Sequence, residues 1–135
     1  MKDPRHVTGM KVRREVLGDE HVDRAVARST PFTTPLQEFI TGAAWGEVWA
    51  RPGLDRRTRS CITLALLTTL KADAELALHV KGALRNGVTA AEISEVLLHT
   101  AIYAGIPAAH HAFAIAERVL DEATKSDPQS KGSPT

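Results

Sequence analysis

The densest set of residues able to do chemistry lies between Gly46 and Arg59, in the segment GEVWARPGLDRRTR. Four arginines occur there together with Glu47 and Trp49, around a Pro-Gly pair that predicts a break between two helices. An arginine guanidinium can hold a carboxylate through two parallel hydrogen bonds, so this segment indicates a site for an anionic substrate. The alternative interpretation is a solvated, charged start of a helix.

The spacing of the arginines divides them. Arg56 and Arg59 are three positions apart and would share one face of the helix that Asp55 can cap, whereas Arg57 points elsewhere. Arg51 approaches from the preceding turn. The sequence therefore predicts that three of the four arginines converge.

Helix start and stop signals recur along the chain, and they predict seven short helices and no strand. The fold class is therefore predicted to be all-α, as a compact multi-helix arrangement. Apolar residues cover so much of the helix after Asp55 that it is predicted to be the central, buried element. The boundary signals are Gly18, Thr34-Pro35, Arg51-Pro52-Gly53, Asp55, Asp73, Asn86-Gly87, a Thr89 to Glu92 capping box and Gly105-Ile106-Pro107.

The length of 135 residues predicts one helical domain, residues 1–125, followed by a disordered tail, residues 126–135. The formal net charge of +1 gives no global field for binding nucleic acid or an acidic membrane. The apolar run from Ile62 to Leu70 is too short to span a bilayer, and the N-terminal segment does not look like a signal peptide. A cytoplasmic protein is expected.

The lone Cys61 excludes an internal disulfide and a CxxC redox pair, which fits a reducing compartment. Glu95 and His99 superficially form a metal set with His110 and His111, but their spacing is not that of a defined zinc motif. No metal is expected. The run from residue 101 to residue 116 is rich in small residues, which suits close packing within or between subunits, and a homo-oligomer is predicted.

Three blocks, GEVWARPGLDRRTRS, HVKGALRNGVTAAEISEVL and YAGIPAA, resemble the carboxymuconolactone decarboxylase family over residues 5 to 122. The resemblance implies an alkylhydroperoxidase D-like fold and a homo-oligomer, usually a hexamer built as a trimer of dimers. It also implies decarboxylation, without a cofactor, of a dianionic lactone in protocatechuate degradation. The redox branch of the superfamily carries a CxxC pair before a histidine. Here His79 occupies the histidine position, but Ala72 and Glu75 replace the cysteines.

The implied substrate explains why no cofactor is needed. It carries a carboxylate and an acetate arm on one carbon of an unsaturated lactone ring, so the electrons left by CO2 delocalise into the lactone carbonyl. His79 is the implied proton donor, because imidazole titrates near neutral pH. Glu47 is the implied partner that orients or relays this proton. The alternative interpretation of His79 is a histidine at a packed surface, and that of Glu47 is an exposed carboxylate near the end of a helix.

The implied roles of the arginines follow from which substrate groups keep their charge. An arginine that grips the departing carboxylate would stabilise the ground state, so Arg51, Arg56 and Arg59 are assigned to the acetate or the developing oxyanion. Trp45 and Trp49 are assigned to the apolar surface that faces the departing group.

Tyr103 is a further candidate for lining the pocket, or for closing a core cluster with its hydroxyl satisfied. Two other functions stay open from the sequence. One is a thiol-linked redox or stress protein that uses Cys61, which would otherwise be a small apolar filler. The other is a non-catalytic binder of small lactone or aromatic acids.

Overall fold

The computed structural model describes residues 3–126, and within them every regular element is helical. The residues form two compact units that divide between Arg59 and Ser60. The all-α fold class is confirmed. The prediction of one domain over residues 1–125 stays a prediction, and the predicted tail lies outside the described residues except for Ser126, which ends the last helix.

In the described part of the first unit, three α-helices and a π-helix precede the helix that begins at Arg56. Their bounds are α1 Pro4–Leu17, α2 Asp19–Ala27, α3 Thr34–Phe39 and a π-helix Ile40–Trp49. Helix α1 packs along the π-helix and supplies much of the small core, which consists of Val12, Val16, Leu17, Val22 and Trp45.

Local chemistry sets the helix ends of the first unit. Asp3 begins α1, because its carboxylate accepts a hydrogen bond from the Arg5 backbone amide at 2.9 Å. Gly18 ends α1 as predicted and has a positive φ of 89°. The predicted cap at Thr34 is wrong by one residue, since Thr33 occupies that position and Thr34 already belongs to α3.

Helix α4, Arg56–Leu70, crosses the division, and the second unit continues with α5 Asp73–Arg85, α6 Ala90–Ala104 and α7 Ile106–Ser126. Helix α7 packs against α5 and α6. The core of the second unit comprises Leu64, Leu76, Val80, Ala83, Val88, Ile93, Leu97, Ala112, Ile115, Ala116 and Val119.

The predicted stop signals of the second unit are confirmed. Gly87 follows α5 with a φ of 89°, and Gly105 separates α6 from α7 with a φ of 101°. Thr89 and Glu92 form the predicted capping box: each side chain bonds the other residue's backbone amide, at 3.1 Å and 2.9 Å.

The prediction that α4 is the central, buried helix is wrong for the single chain. Only Ser60, Leu64 and Thr68 of α4 are buried, so one stripe of the helix is covered. Leu66 and Leu70 are 56% and 73% exposed. The apolar residues around α4 are therefore more numerous than residues 3–126 cover. None of the helices in residues 3–126 combines the length and apolar character needed to cross a membrane.

Candidate active site

The π-helix carries three of the predicted site residues. Its hydrogen bonds skip one residue more than those of an α-helix, and such segments are uncommon and often mark functional sites. Trp45 is 4% exposed, and its ring lies on that of Trp49 with centroids 5.0 Å apart and planes tilted by 30°. Glu47, between them in sequence, is exposed. The aromatic pair therefore anchors the segment and leaves the carboxylate at the surface.

Two glycines let the backbone of α1 lie directly on the π-helix. A Cβ atom added at Gly9 would lie 1.9 Å from the Thr41 carbonyl oxygen, and one added at Gly46 would lie 2.2 Å from the Arg5 carbonyl oxygen. No side chain fits at either position. The close approach at Gly46 places Arg5 beside Glu47.

Arg5 links this end of α1 to the predicted catalytic carboxylate. Its guanidinium donates to Glu47 Oε1 and also forms an ion pair with Asp3, whose Oδ2 lies 3.0 Å from Nη2. The two carboxylates raise the pKa of Arg5, chiefly through its side-chain hydrogen bond to Asp3. Hydrogen bonds from Arg5 lower the pKa of Asp3. Arg5 is not among the site residues predicted from the sequence, and it lies 42 residues before Glu47.

A cavity of about 550 Å³ opens beside this ion pair. Its wall combines charged groups of both signs with an apolar patch, because the side chain of Phe39 is 70% exposed. Three carboxylates stand on this wall against one arginine, which is already paired with two of them, so the charge of the cavity disfavours a small organic anion. The lining residues are Asp3, Arg5, His6, Glu38, Phe39, Gly42, Ala43 and Glu47.

The predicted arginine cluster forms in part. Arg59 donates from Nη2 to the carbonyl oxygen of Arg51 at 3.3 Å, so these two residues lie together. Arg56 instead forms an ion pair with Glu15, with Nη1 and Oε2 2.6 Å apart. Its guanidinium is therefore already engaged with a carboxylate of the protein.

Asp55 caps the start of α4, next to these arginines in sequence. Its carboxylate accepts a hydrogen bond from the Thr58 backbone amide at 2.7 Å, as predicted for a cap. This backbone hydrogen bond is the main reason why the pKa of Asp55 is lowered. The cap fixes the helical register, and with it the directions of Arg56 and Arg59.

The other two predicted site residues belong to the second unit. His79 lies on α5, next to the buried Val80, and its Nδ1 atom is shielded from solvent. Tyr103, near the end of α6, is 81% exposed and lies against the His99 ring, with centroids 5.3 Å apart. The pairing of His79 with Glu47 stays a prediction.

A second concave surface in the second unit contains the lone cysteine. Cys61 is half-buried and lines a groove of about 830 Å³ between α4 and α6, together with Ile62, Val96, His99 and Ile102. The groove is mostly apolar. Among residues 3–126, no cluster of three or more histidine, cysteine or acidic side chains is arranged to hold a metal ion.

Comparison with known proteins gives one family. Residues 34–118 match the sequence profile described as "Carboxymuconolactone decarboxylase family". The chain is 50% identical over 114 residues to the nitrosuccinic acid decarboxylase of Metarhizium robertsii, covering 84% of this chain and 80% of that protein. It is 44% identical over 120 residues to the 4-carboxymuconolactone decarboxylase of Acinetobacter baylyi, covering 89% of this chain and 90% of that protein.

Proposed function

This chain belongs to the carboxymuconolactone decarboxylase family, and we propose that it converts 4-carboxymuconolactone to the β-ketoadipate enol-lactone and CO2. The observation that carries the proposal is the 44% identity to the Acinetobacter baylyi enzyme, which extends over nearly the whole length of both chains. The proposal places the reaction in protocatechuate catabolism, in the cytoplasm.

The chemistry requires little beyond binding and one proton. When the bond between the ring and its carboxylate breaks, the electron pair moves through the ring double bond to the lactone carbonyl oxygen. A proton then adds to the carbon next to that carbonyl, and the double bond is left at the carbon that lost CO2. The substrate supplies its own electron sink, which is the task a cofactor usually performs in decarboxylation.

Two residues are assigned to the proton. His79 donates it, because an imidazole has a suitable pKa for transfer to a carbanion-like centre. Glu47 assists as its carboxylate partner. The ion pair with Arg5 holds the Glu47 carboxylate in position.

The remaining assignments concern charge. Arg59 and Arg51, which lie together, hold the acetate arm or the developing oxyanion. Arg56 is assigned to the same role, although its guanidinium is paired with Glu15. Trp49, backed by the buried Trp45, provides apolar surface for the group that loses its charge as CO2 forms, and Tyr103 lines the pocket.

A second substrate, nitrosuccinate, is favoured by the 50% identity to the Metarhizium robertsii protein. Nitrosuccinate is also a dicarboxylate whose departing carboxylate sits next to an electron sink, here the nitro group. The same site chemistry would serve both reactions, because each needs one carboxylate held and the other released.

One experiment distinguishes the candidates. Purified protein is incubated with each substrate, and CO2 evolution is followed together with the ultraviolet absorbance of the lactone. Faster turnover of the lactone supports the proposal, and turnover of nitrosuccinate alone supports the second candidate. If neither substrate releases CO2, the protein is not a decarboxylase of either kind. Loss of a thiol-dependent activity in Cys61→Ser would then support the redox alternative, and saturable lactone binding the non-catalytic one.

The proposal includes a homo-oligomer, a hexamer built as a trimer of dimers. Its support is the large exposed apolar side chains of the second unit: besides Leu66 and Leu70, Ile102 and Ile106 are 78% and 75% exposed. Large apolar side chains exposed together on one unit are typical of a surface that packs against another molecule. Sedimentation that shows a stable monomer of 14.6 kDa at micromolar concentration would contradict it.

A further inference from the structure

Arg13 is a buried cation on α1. Its side chain is only 6% exposed, and it donates to Gln37 Oε1 at 3.0 Å and to Thr41 Oγ1 at 3.3 Å. Both acceptors are uncharged. A buried charge is costly unless it is paired, and neutral dipoles compensate it only in part.

The other two arginines of α1 are each paired with carboxylates. Arg14, the next residue, forms ion pairs with Asp19 and Asp23 at 3.1 Å and 2.8 Å. Arg5 forms ion pairs with Asp3 and Glu47. Within residues 3–126 no carboxylate lies within ion-pair distance of Arg13, although it is the most buried of the three.

The hydrogen-bonding capacity of Arg13 is also underused. A guanidinium carries five N–H groups, and the side chain makes two hydrogen bonds. Its Nε atom is shielded from solvent and has no acceptor in the described part of the chain. Burial lowers the pKa of the Arg13 guanidinium, and the positive charge of Arg14 lowers it further. Among residues 3–126, the Arg13 guanidinium therefore has neither an ion-pair partner nor an acceptor for its Nε–H group.

A cavity of about 250 Å³ adjoins this guanidinium. Residues of α1, α2, α3 and the π-helix line it, and three of the lining residues carry hydroxyl groups. Two of them, on Ser29 and Thr34, are hydrogen-bonded to each other at 3.0 Å. The lining residues are His6, Met10, Arg13, Val26, Ser29, Thr34, Gln37, Glu38 and Thr41.

We propose that this cavity binds a small monocarboxylate of about the size of acetate or propionate, as the counter-ion of Arg13. A single negative charge balances the single guanidinium, and the Glu38 carboxylate on the wall repels a dianion such as phosphate more strongly than a monoanion. Thr34 donates its hydroxyl proton to the Thr30 carbonyl oxygen at 2.8 Å and accepts that of Ser29, so Thr41 is the hydroxyl on this wall that donates to a carboxylate oxygen. Met10 and Val26 contact the alkyl end. None of the predicted catalytic or substrate-binding residues lines this cavity, so the inference does not depend on the proposed function.

Thermal unfolding of the full chain tests the proposal, with acetate as the probe and chloride at equal ionic strength as the reference. For a dissociation constant of about 5 mM, 20 mM acetate should raise Tm by about 3 °C relative to chloride. The Nε–H resonance of Arg13 in ¹⁵N-labelled protein should move with acetate concentration and saturate. Equal Tm values in acetate and chloride, or a larger shift with phosphate, would overturn the proposal.

Two variants and a matched control localise the effect. Gln37→Glu keeps the size of the side chain and supplies a permanent carboxylate 3.0 Å from the guanidinium, so the acetate response should disappear. Arg13→Met should also abolish it. Arg14→Met removes a neighbouring arginine that does not line the cavity, and it should retain the full acetate response. An acetate response that persists in Gln37→Glu would overturn the proposal even if Arg13→Met fails to fold.

The variant Glu38→Gln tests whether the counter-ion of Arg13 is the Glu38 side chain or a bound carboxylate. If the Glu38 side chain pairs with Arg13 in solution, the wild-type protein should not respond to acetate, and the variant should gain a response. That pattern would overturn the proposal, because it shows that the wild-type cavity does not bind a carboxylate. The proposal instead requires a response in both proteins, stronger in the variant because the repelling charge is gone.

Discussion

The packing of α1 on the π-helix yields the sharpest prediction, which concerns the substitution Gly9→Ala. The added methyl carbon would lie 1.9 Å from the Thr41 carbonyl oxygen and 2.9 Å from the Gly46 amide nitrogen. Both neighbours are backbone atoms, so no side-chain rotation can relieve the overlap. The two helices must move apart instead.

The cost follows from the distances. The carbon must recede by about 1.1 Å from the Thr41 oxygen to reach even 3.0 Å, the limit below which real contacts are essentially never found. Such overpacking costs about 3 kcal/mol, and replacing glycine by alanine within a helix returns about 1 kcal/mol. The expected net loss is about 2 kcal/mol, or about 7 °C in Tm for a chain of this length.

Urea denaturation at a fixed protein concentration measures this loss, and Gly42→Ala is the matched control. Gly42 lies in the same π-helix, but nothing lies within 4 Å of the position that its Cβ would occupy. We therefore expect Gly42→Ala to be neutral or to stabilise the protein by up to about 1 kcal/mol. The two alanine variants should differ by about 2–3 kcal/mol.

Two outcomes would refute this reasoning. If Gly9→Ala unfolds at the same urea concentration as the wild type, the backbones are not in direct contact. If Gly42→Ala is equally destabilised, the loss belongs to helix composition rather than to the contact at Gly9.

Four further predictions concern the site and the helix ends. His79→Ala should lose at least about a hundredfold in kcat for the lactone, and turnover like that of the wild type would remove His79 as the proton donor. Arg59→Ala should raise KM about tenfold if it holds the acetate arm, and a fall in kcat alone would place it at the oxyanion instead. Thr89→Ala should cost about 1 kcal/mol in urea denaturation, because it removes one half of the capping box with Glu92. Because folding lowers the pKa of Asp55, its carboxylate stabilises the folded protein fully above the pKa of the unfolded state, and this contribution is lost as the pH falls through the lower folded pKa. Asp55→Asn lacks this contribution, so its free energy of unfolding should fall less steeply than that of the wild type below about pH 4.

Helix boundaries could be predicted from the sequence because they depend on neighbouring residues. The capping box at Thr89 and the stops at Gly87 and Gly105 are local hydrogen-bond and φ requirements, and all three are confirmed. The π-helix was not predicted, because the apolar spacing around Trp45 is equally consistent with an α-helix. Its hydrogen-bond pattern is a property of the backbone that no single residue type specifies.

The burial of α4 could not be predicted correctly for a different reason. Apolar residues around a helix indicate that several of its faces avoid water, but they do not indicate which chain covers them. Within the part of the chain that the structure describes, only the stripe through Leu64 is covered, whereas Leu66 and Leu70 are exposed.

The candidate site could be predicted only as separate groups of residues. The dense segment indicated Glu47 and the arginines, yet the cation next to Glu47 is Arg5, which comes from α1. The arginine Arg56 is bound to Glu15 through a contact that the sequence gives no reason to expect. The only signal for the first contact was glycine inside helices, at Gly9 and Gly46, where an alanine would otherwise be favoured.

The π-helix also affects which changes in chain length the protein should tolerate. Each of its hydrogen-bonded turns contains one residue more than a turn of an α-helix, so removing a residue converts it towards ordinary helical geometry without breaking the helix. Gly42 is the natural position, because it makes no close contact there. We therefore expect one-residue deletions to be accommodated within Ile40–Trp49 more readily than within α1.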